Sequence, residues 1–173
     1  DKGEFVTIIG TNGAGKSTLF NLISGHITPS EGQIFLHGRD VTRTPEYKRA
    51  RSIGRIFQNP LLGTAGNMAL EDNMVISMNK GFKGLGMSLN EKLRRKFAER
   101  LKDLGMGLEN RLRDNVGLFS GGQRQALTLL MMSMSMPDLV LLDEHTAALD
   151  PKNAQVVMEL TLRYVRDHKF TTL

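Results

Sequence analysis

The first chemistry-bearing segment is Gly10-Thr11-Asn12-Gly13-Ala14-Gly15-Lys16-Ser17, in which two glycines flank four residues and are followed by a lysine and a hydroxyl side chain. This is the full spacing of a phosphate loop. Its glycines let successive backbone amides turn inward around an anion, and a helix beginning near Lys16 adds its positive end. Lys16 would reach the β- and γ-phosphates of a nucleoside triphosphate, and Ser17 would offer its hydroxyl to magnesium. Thr11, Asn12, Gly13, Ala14, Gly15 and Thr18 complete the expected cradle. A glycine turn with a surface lysine is the plainer reading, but an apolar run before the loop and a helical pattern after it favour a phosphate site.

Two acids follow at a distance. The apolar run Leu139-Val140-Leu141-Leu142 ends in Asp143-Glu144. At the carboxyl end of a strand in an open sheet, such acids sit where ligands bind. Asp143 would hold magnesium, directly or through water. Glu144 can orient and deprotonate an attacking water. A third feature is Ser120-Gly121-Gly122-Gln123 at a helix start, a second amide-rich phosphate site. The first loop already encloses its phosphates, so a second site becomes useful when it faces the γ-phosphate held by another copy.

These groups need elements to place them. Residues 5–9 read as a strand buried on both faces, Lys16–Ser24 as a helix stopped by Gly25, and residues 34–36 as a second strand before a His37-Gly38 turn. Thr44-Pro45 gives an N-cap and a first-turn proline for a short helix, and residues 53–57 a third strand. Residues 68–78 have helical spacing, residues 81–87 read as a flexible connector, and Asn90 caps a helix whose Leu93, Phe97, Leu101 and Leu104 form one stripe ending at Gly105. Beyond them come a helix over 121–136, the strand Leu139–Leu142, a helix over 151–166 capped by Asp150, and a strand starting at Thr171. Alternating strands and helices predict an α/β fold with a mostly parallel sheet. The expected division is a core of residues 1–63 and 116–173, with a helical subdomain at 64–115.

The chain has 173 residues, 40% apolar and 24% charged, a net charge of +5 and no cysteine. That excludes disulfides and thiolate metal sites, and no apolar run is long enough to cross a bilayer. The basic residues concentrate mildly at 49–55 and 92–100 without a basic tail, so nucleic acid is not expected. Met131, Met132, Met134 and Met136 are expected to be adaptable packing. The chain begins at Asp1 and stops as a strand begins, and is expected to be a fragment cut at both ends.

With Ser120–Gln123 beside a phosphate loop, the sequence resembles the ATP-binding cassette (ABC) family, whose signature is this serine–glycine–glycine–glutamine element. Gln58 matches the family's Q-loop glutamine, Ala148-Leu149-Asp150 its D-loop, and the helical insert lies between Gln58 and Ser120 as in the family. The resemblance implies a RecA-like P-loop fold, ATP and Mg2+ as ligands, Glu144, Lys16 and Gln58 as catalytic residues, and Ser17, Gln58 and Asp143 around the metal. It also implies that Ser120, Gly121, Gly122, Gln123 and Asp150 face the nucleotide of a second copy. A membrane permease would dock in a groove between Asn59 and Gly63 and the helical lobe, on the cytoplasmic face of the membrane. A substrate-binding protein is compatible as a further partner. By resemblance, a single short cassette without fused membrane segments suggests a prokaryotic importer, and residues 123–127 resemble a bacterial subgroup serving amino-acid-like substrates; a soluble cassette in translation or DNA maintenance is the alternative. Phe119 replaces the usual leucine, Ala126 a frequent arginine and His145 a frequent proline; His145 is expected to be structural. The family's adenine-stacking aromatic and switch histidine would fall outside the chain, so the chain alone is expected to bind and hydrolyse ATP poorly.

Overall fold

A computed structural model describes residues 2–78 and 89–173; the expected connector at 81–87 lies outside the described residues. Helix α1, Lys16–Ser24, begins after Gly15 at φ 89° and ends at Gly25, φ 85°, whose N–H returns to the carbonyls of Asn21 and Leu22. A left-handed residue at that position satisfies the last helical carbonyls, and glycine takes it without strain. The remaining carbonyls meet a buried cation. Arg49, 3% exposed, donates from Nη1 to Leu22 O at 2.8 Å and Ile23 O at 2.9 Å. Its Nη2 bonds Thr42 O and its Nε bonds Thr44 O, each at 2.9 Å. A positive charge at a helix C-terminus is favourable, and here all its visible partners are carbonyls.

The strand expected at 34–36 is not part of the parallel sheet. Phe35–Leu36 (β1) pairs antiparallel with Arg39–Asp40 (β2) in a separate hairpin. The cause is the turn: His37 at φ 52° and Gly38 at φ 73° are both left-handed, which reverses the chain in two residues. Helix α2 spans Glu46–Arg49. Its N-cap is Pro45 rather than Thr44, because Pro45 holds an extended ψ of 152°.

The parallel sheet has the order β3 (Ile53–Ile56), β4 (Leu139–Leu142), β5 (Thr171–Thr172). Ile53 faces Leu139 and Ile56 faces Leu142 across one ladder; Leu139 faces Thr171 across the other. Period-two alternation sends Ile53 and Leu141 toward Phe20 of α1, and Ile56 and Val140 toward the opposite face. Residues 5–9 depart from expectation: Phe5 makes a single parallel bridge to Thr172, and no strand follows. Phe5 is 50% exposed and Ile9 92% exposed, so the run is not buried on both faces. Its neighbour β5 is two residues long and offers Thr172 alone, whose N–H bonds Glu4 O and whose carbonyl accepts from Val6 N.

Helices α3 (Leu70–Met78), α4 (Glu91–Lys102), α5 (Gly121–Ser135) and α6 (Pro151–His168) complete the described helices of eight or more residues. Asn90 caps α4 by accepting from Leu93 N at 2.9 Å, and Phe97, Leu101 and Leu104 are buried as the stripe requires. Arg94 of α4 binds the nearly buried carboxylate of Glu71 on α3 at 2.8 Å, which with Glu91 pushes its pKa further up. These side chains and those of α5 form one apolar cluster with Ile56 and Val140, so helical lobe and sheet share a core. The chain enters and leaves the lobe side by side. Gly117 N bonds Gly66 O at 2.8 Å, Val116 N bonds Met68 O at 3.1 Å and Leu70 N bonds Asp114 O at 3.0 Å. A Cβ on Gly117 would lie 3.0 Å from Gly66 O, so glycine permits the crossing. Among the described residues no helix is long and apolar enough to cross a membrane.

Candidate active site

At the phosphate loop Gly13 (φ 84°) and Gly15 (φ 89°) adopt left-handed backbones. Helix α1 then starts with no side-chain cap and no acid in its first turn. Leu19 N bonds the N-cap carbonyl of Gly15 at 2.9 Å, so the first-turn amides of Lys16, Ser17 and Thr18 have no intrahelical acceptor and can face an anion. Lys16 folds over the loop, donating from Nζ to Gly10 O at 2.9 Å and Thr11 O at 3.2 Å. The same Nζ lies 3.8 Å from Glu144 Oε1. Asn12, Gly13, Gly15, Lys16, Ser17, Thr18, Gln58 and Glu144 line one cavity of about 400 Å³. Loop, Q-loop glutamine and carboxylate, far apart in sequence, therefore meet at the carboxyl end of the sheet.

Asp143 continues the register of β4, its N–H bonding Ile56 O at 3.1 Å. Its Oδ1 lies 3.4 Å from Ser17 Oγ, and its Oδ2 accepts from Arg55 Nη2 at 2.9 Å. Arg55 is held in turn by Asn21 Oδ1 at 2.6 Å and lies 4.8 Å above the Phe57 ring. One carboxylate oxygen is thus clamped while the other faces the serine. A hydroxyl and a carboxylate oxygen so placed form an all-oxygen donor set, which suits a hard cation such as Mg2+. Arg55 was not singled out by sequence reasoning, since an arginine inside an apolar strand carries no local signal of its partner.

Glu144 has φ 45°, an uncommon backbone for a residue with a side chain. The loop after it is pinned: Ala147 N bonds Glu144 O at 2.9 Å, and Leu149 N bonds Thr146 O at 3.1 Å. His145 is buried and its Nε2 lies 2.9 Å from Thr161 Oγ1. The Thr161 hydroxyl donates to Val157 O at 2.8 Å, so His145 Nε2 carries the hydrogen that it gives to Thr161. Burial pulls its pKa down. His145 is therefore a structural strut between β4 and α6.

Ser120, Gly121, Gly122 and Gln123 do not line the phosphate cavity. Ser120 and Gln123 form a reciprocal capping box, Ser120 Oγ accepting from Gln123 N at 3.2 Å and Gln123 Oε1 from Ser120 N at 3.0 Å. Asp150 lies outside that cavity as well and caps α6, with its Oδ2 2.6 Å from Asn153 Nδ2. The Asn153 hydrogen bonds hold the Asp150 pKa below its ordinary value. The two motifs touch: a Cβ on Gly122 would fall 2.7 Å from Asn153 Cγ, and one on Gly121 would meet Leu149. Phe119, in place of leucine, is buried with the Arg111 guanidinium 4.5 Å above its ring. Ala126 is fully buried, while the neighbouring Arg124 binds Phe119 O and Gly117 O, each at 3.0 Å. Met131 and Met132 are core residues, whereas Met136 is 55% exposed, a correction to the reading of the whole cluster as packing.

A phosphate loop, an acid pair at a parallel strand end and a glycine-rich second helix start on an α/β sheet define a cassette ATPase. The family model for the ABC transporter domain matches residues 1–147. Over its whole length the chain is 46% identical to the tyrosine transport ATP-binding protein of Clostridioides difficile (strain R20291), covering 69% of that protein. Over 92% of its length it is 36% identical to the fructose import ATP-binding protein FrcA of Rhizobium meliloti, covering 63% of it. The solved structure of cbiO1 from Clostridium perfringens, part of the ABC transporter complex cbiONQ, superposes over 99% of the chain with a TM-score of 0.74 and 28% identity, and the chain spans 66% of it. The chain belongs to the ABC transporter family as an ATP-binding cassette, with the P-loop α/β fold and the ATPase activity of that family.

Proposed function

We propose that this chain powers import of a small polar solute by closing on a second copy of itself around ATP and Mg2+. The observation that carries the reading is the separation of two glycine-bearing helix starts: the uncapped start of α1 lines the cavity with Gln58 and Glu144, and the start of α5, capped by Ser120 and Gln123, does not. In this reading Lys16 and the amides following Gly15 hold the β- and γ-phosphates. Ser120, Gly121 and Gly122 of the second copy close on the γ-phosphate from the other side, with Asp150 at the seam. Ser17 and Asp143 hold Mg2+, with Gln58 beside them, and Arg55 fixes the aspartate's second oxygen. Held by Ser17 and Asp143, Mg2+ would supply positive charge against the charge that develops in phosphoryl transfer. Glu144 accepts the proton of the attacking water, which Gln58 orients. Hydrolysis then removes the contacts that bind the copies together.

A groove of about 570 Å³ lies between the sheet edge and the helical lobe, lined by Tyr47, Arg51, Leu62, Gly63, Ile76 and Met131 among others. Leu61 and Leu62 beside it are 58% and 65% exposed. An apolar shoulder with adjacent cations supports docking of a short helix from a membrane permease, which would hold the cassette at the cytoplasmic face. The division into a core of 1–63 and 116–173 and a lobe of 64–115 is part of the same reading. The relatives named for tyrosine transport and fructose import favour an importer over a soluble cassette acting in translation or on DNA, and the higher identity to the former supports an amino-acid-like cargo.

The test uses the whole ATPase subunit. Glu144→Gln should keep ATP affinity, lower turnover at least about 100-fold and leave a stable ATP-bound dimer in sedimentation analysis. Undiminished phosphate release, or a monomer with full turnover, would refute the reading.

A further inference from the structure

Gln125 sits one turn inside α5, 1% exposed, and has no part in the mechanism above. Its Nε2 donates to Phe57 O at 2.9 Å and to His145 O at 2.8 Å. A primary amide has two hydrogens to give, and both are used. The two acceptors are informative. The Phe57 carbonyl belongs to the peptide that begins Gln58, and the His145 carbonyl belongs to the residue after Glu144. One buried amide thus joins the backbones that carry two residues on the phosphate cavity.

Glu144 is also the residue that needs holding. Its left-handed backbone persists only where the surroundings over-determine it. Downstream of it the supports are the turn bond to Ala147, the His145 ring on Thr161 and the Gln125 amide on His145 O. The first two fix the loop to itself and to α6. Gln125 alone among these ties it to the Q-loop strand.

We propose that Gln125 is a positioning residue for the hydrolytic step, setting the spacing of Glu144 and Gln58 across the γ-phosphate. Because Gln125 lies two residues beyond Gln123 on the same helix, it also connects the second helix start rigidly to the cavity of its own chain. The inference rests on the assignment of Glu144 and Gln58 to catalysis.

The experiment uses the whole ATPase subunit in its transporter complex, with Gln125→Glu, which keeps the shape and leaves at most one donor, and Gln125→Leu, which is apolar and similar in size and leaves none. The expected result is a loss of kcat of about 100-fold, the scale of an ångström-level misplacement of catalytic groups, with the ATP dissociation constant changed by less than about threefold. In a Glu144→Gln background either substitution should lower the residual rate by much less, because one of the two positioned groups is already disabled. Folded variants that keep kcat within about threefold would overturn the proposal, as would an equal loss in the Glu144→Gln background or a parallel loss of ATP affinity. Failure of both variants to fold would overturn it too, since Gln125 would then serve the fold alone. Absence of ATP turnover in the unsubstituted complex would instead refute the catalytic assignment on which the proposal stands.

Discussion

Replacing Arg49 by methionine should loosen the helix that bears the phosphate loop. Arg49 is 3% exposed and its guanidinium makes four hydrogen bonds to carbonyls, two of them at the C-terminal end of α1. Charge-assisted bonds contribute about 1.5–3 kcal/mol each, a gross loss of roughly 6–12 kcal/mol. Against this, the substitution removes the desolvation penalty of a buried cation, several kcal/mol in size, whose presence is visible in the lowered pKa of Arg49. The difference is about 3–5 kcal/mol, and methionine fills part of the space without strain. For a chain of 173 residues each kcal/mol shifts Tm by roughly 2–4 °C, so a fall near 10 °C is expected. Thermal unfolding followed by circular dichroism measures it, and Arg49→Lys should fall between the two because an ammonium recovers some of the donations. A methionine variant melting within about 2 °C of the parent would refute the reasoning, since the four carbonyls would then need no cation.

Other expectations are simpler. Lys16→Ala removes the ammonium that reaches the loop carbonyls and Glu144, and should weaken ATP binding about 100-fold by equilibrium titration; unchanged affinity would remove the phosphate-loop assignment. Gly122→Val places atoms against Asn153, whose side chain a Cβ already meets at 2.7 Å; it should lower stability by about 1–3 kcal/mol in denaturant unfolding and slow ATP turnover, and normal turnover would show that Asp150 and Asn153 yield freely. His145 has a folded-state pKa depressed by burial, so the unfolded chain takes up the proton first as pH falls. Its contribution to stability should be complete above the ordinary histidine pKa, about 6.5, and be lost as pH drops below it. Thermal melts across pH 7.5 to 5.5 should therefore be flatter for His145→Gln than for the parent, and parallel curves would count against the strut.

Much of this was readable from local spacing. Asn90 and its stripe, Gly25 after α1 and the run Leu139–Leu142 with its two acids are nearest-neighbour signals, and the structure places them as read. The failures share another cause. Residues 5–9 have a buried strand's composition, but pairing decides a strand, and here one bridge to Thr172 is what they obtain. His37-Gly38 was legible as a turn, yet the hairpin it builds required knowing that Arg39–Asp40 would pair back. Arg49, Arg55 and Gln125 were invisible because their most distant partners lie 27, 88 and 68 residues away, and side-chain identity alone does not say which carbonyl or carboxylate will arrive. Gln58 was found only because a resemblance supplied the long-range information, whereas Glu144 was legible from the apolar run that it ends.

The side-by-side passage of Gly66 and Gly117 has an evolutionary consequence. A helical segment entered and left through such a paired passage can be lengthened, shortened or re-sequenced beyond it without altering the register of the strands behind it. The constraint on such change is the apolar face that α5 presents, which any replacement must still cover. Cassettes built this way can diversify the exposed side of these helices while the phosphate loop and the acids behind it stay as they are.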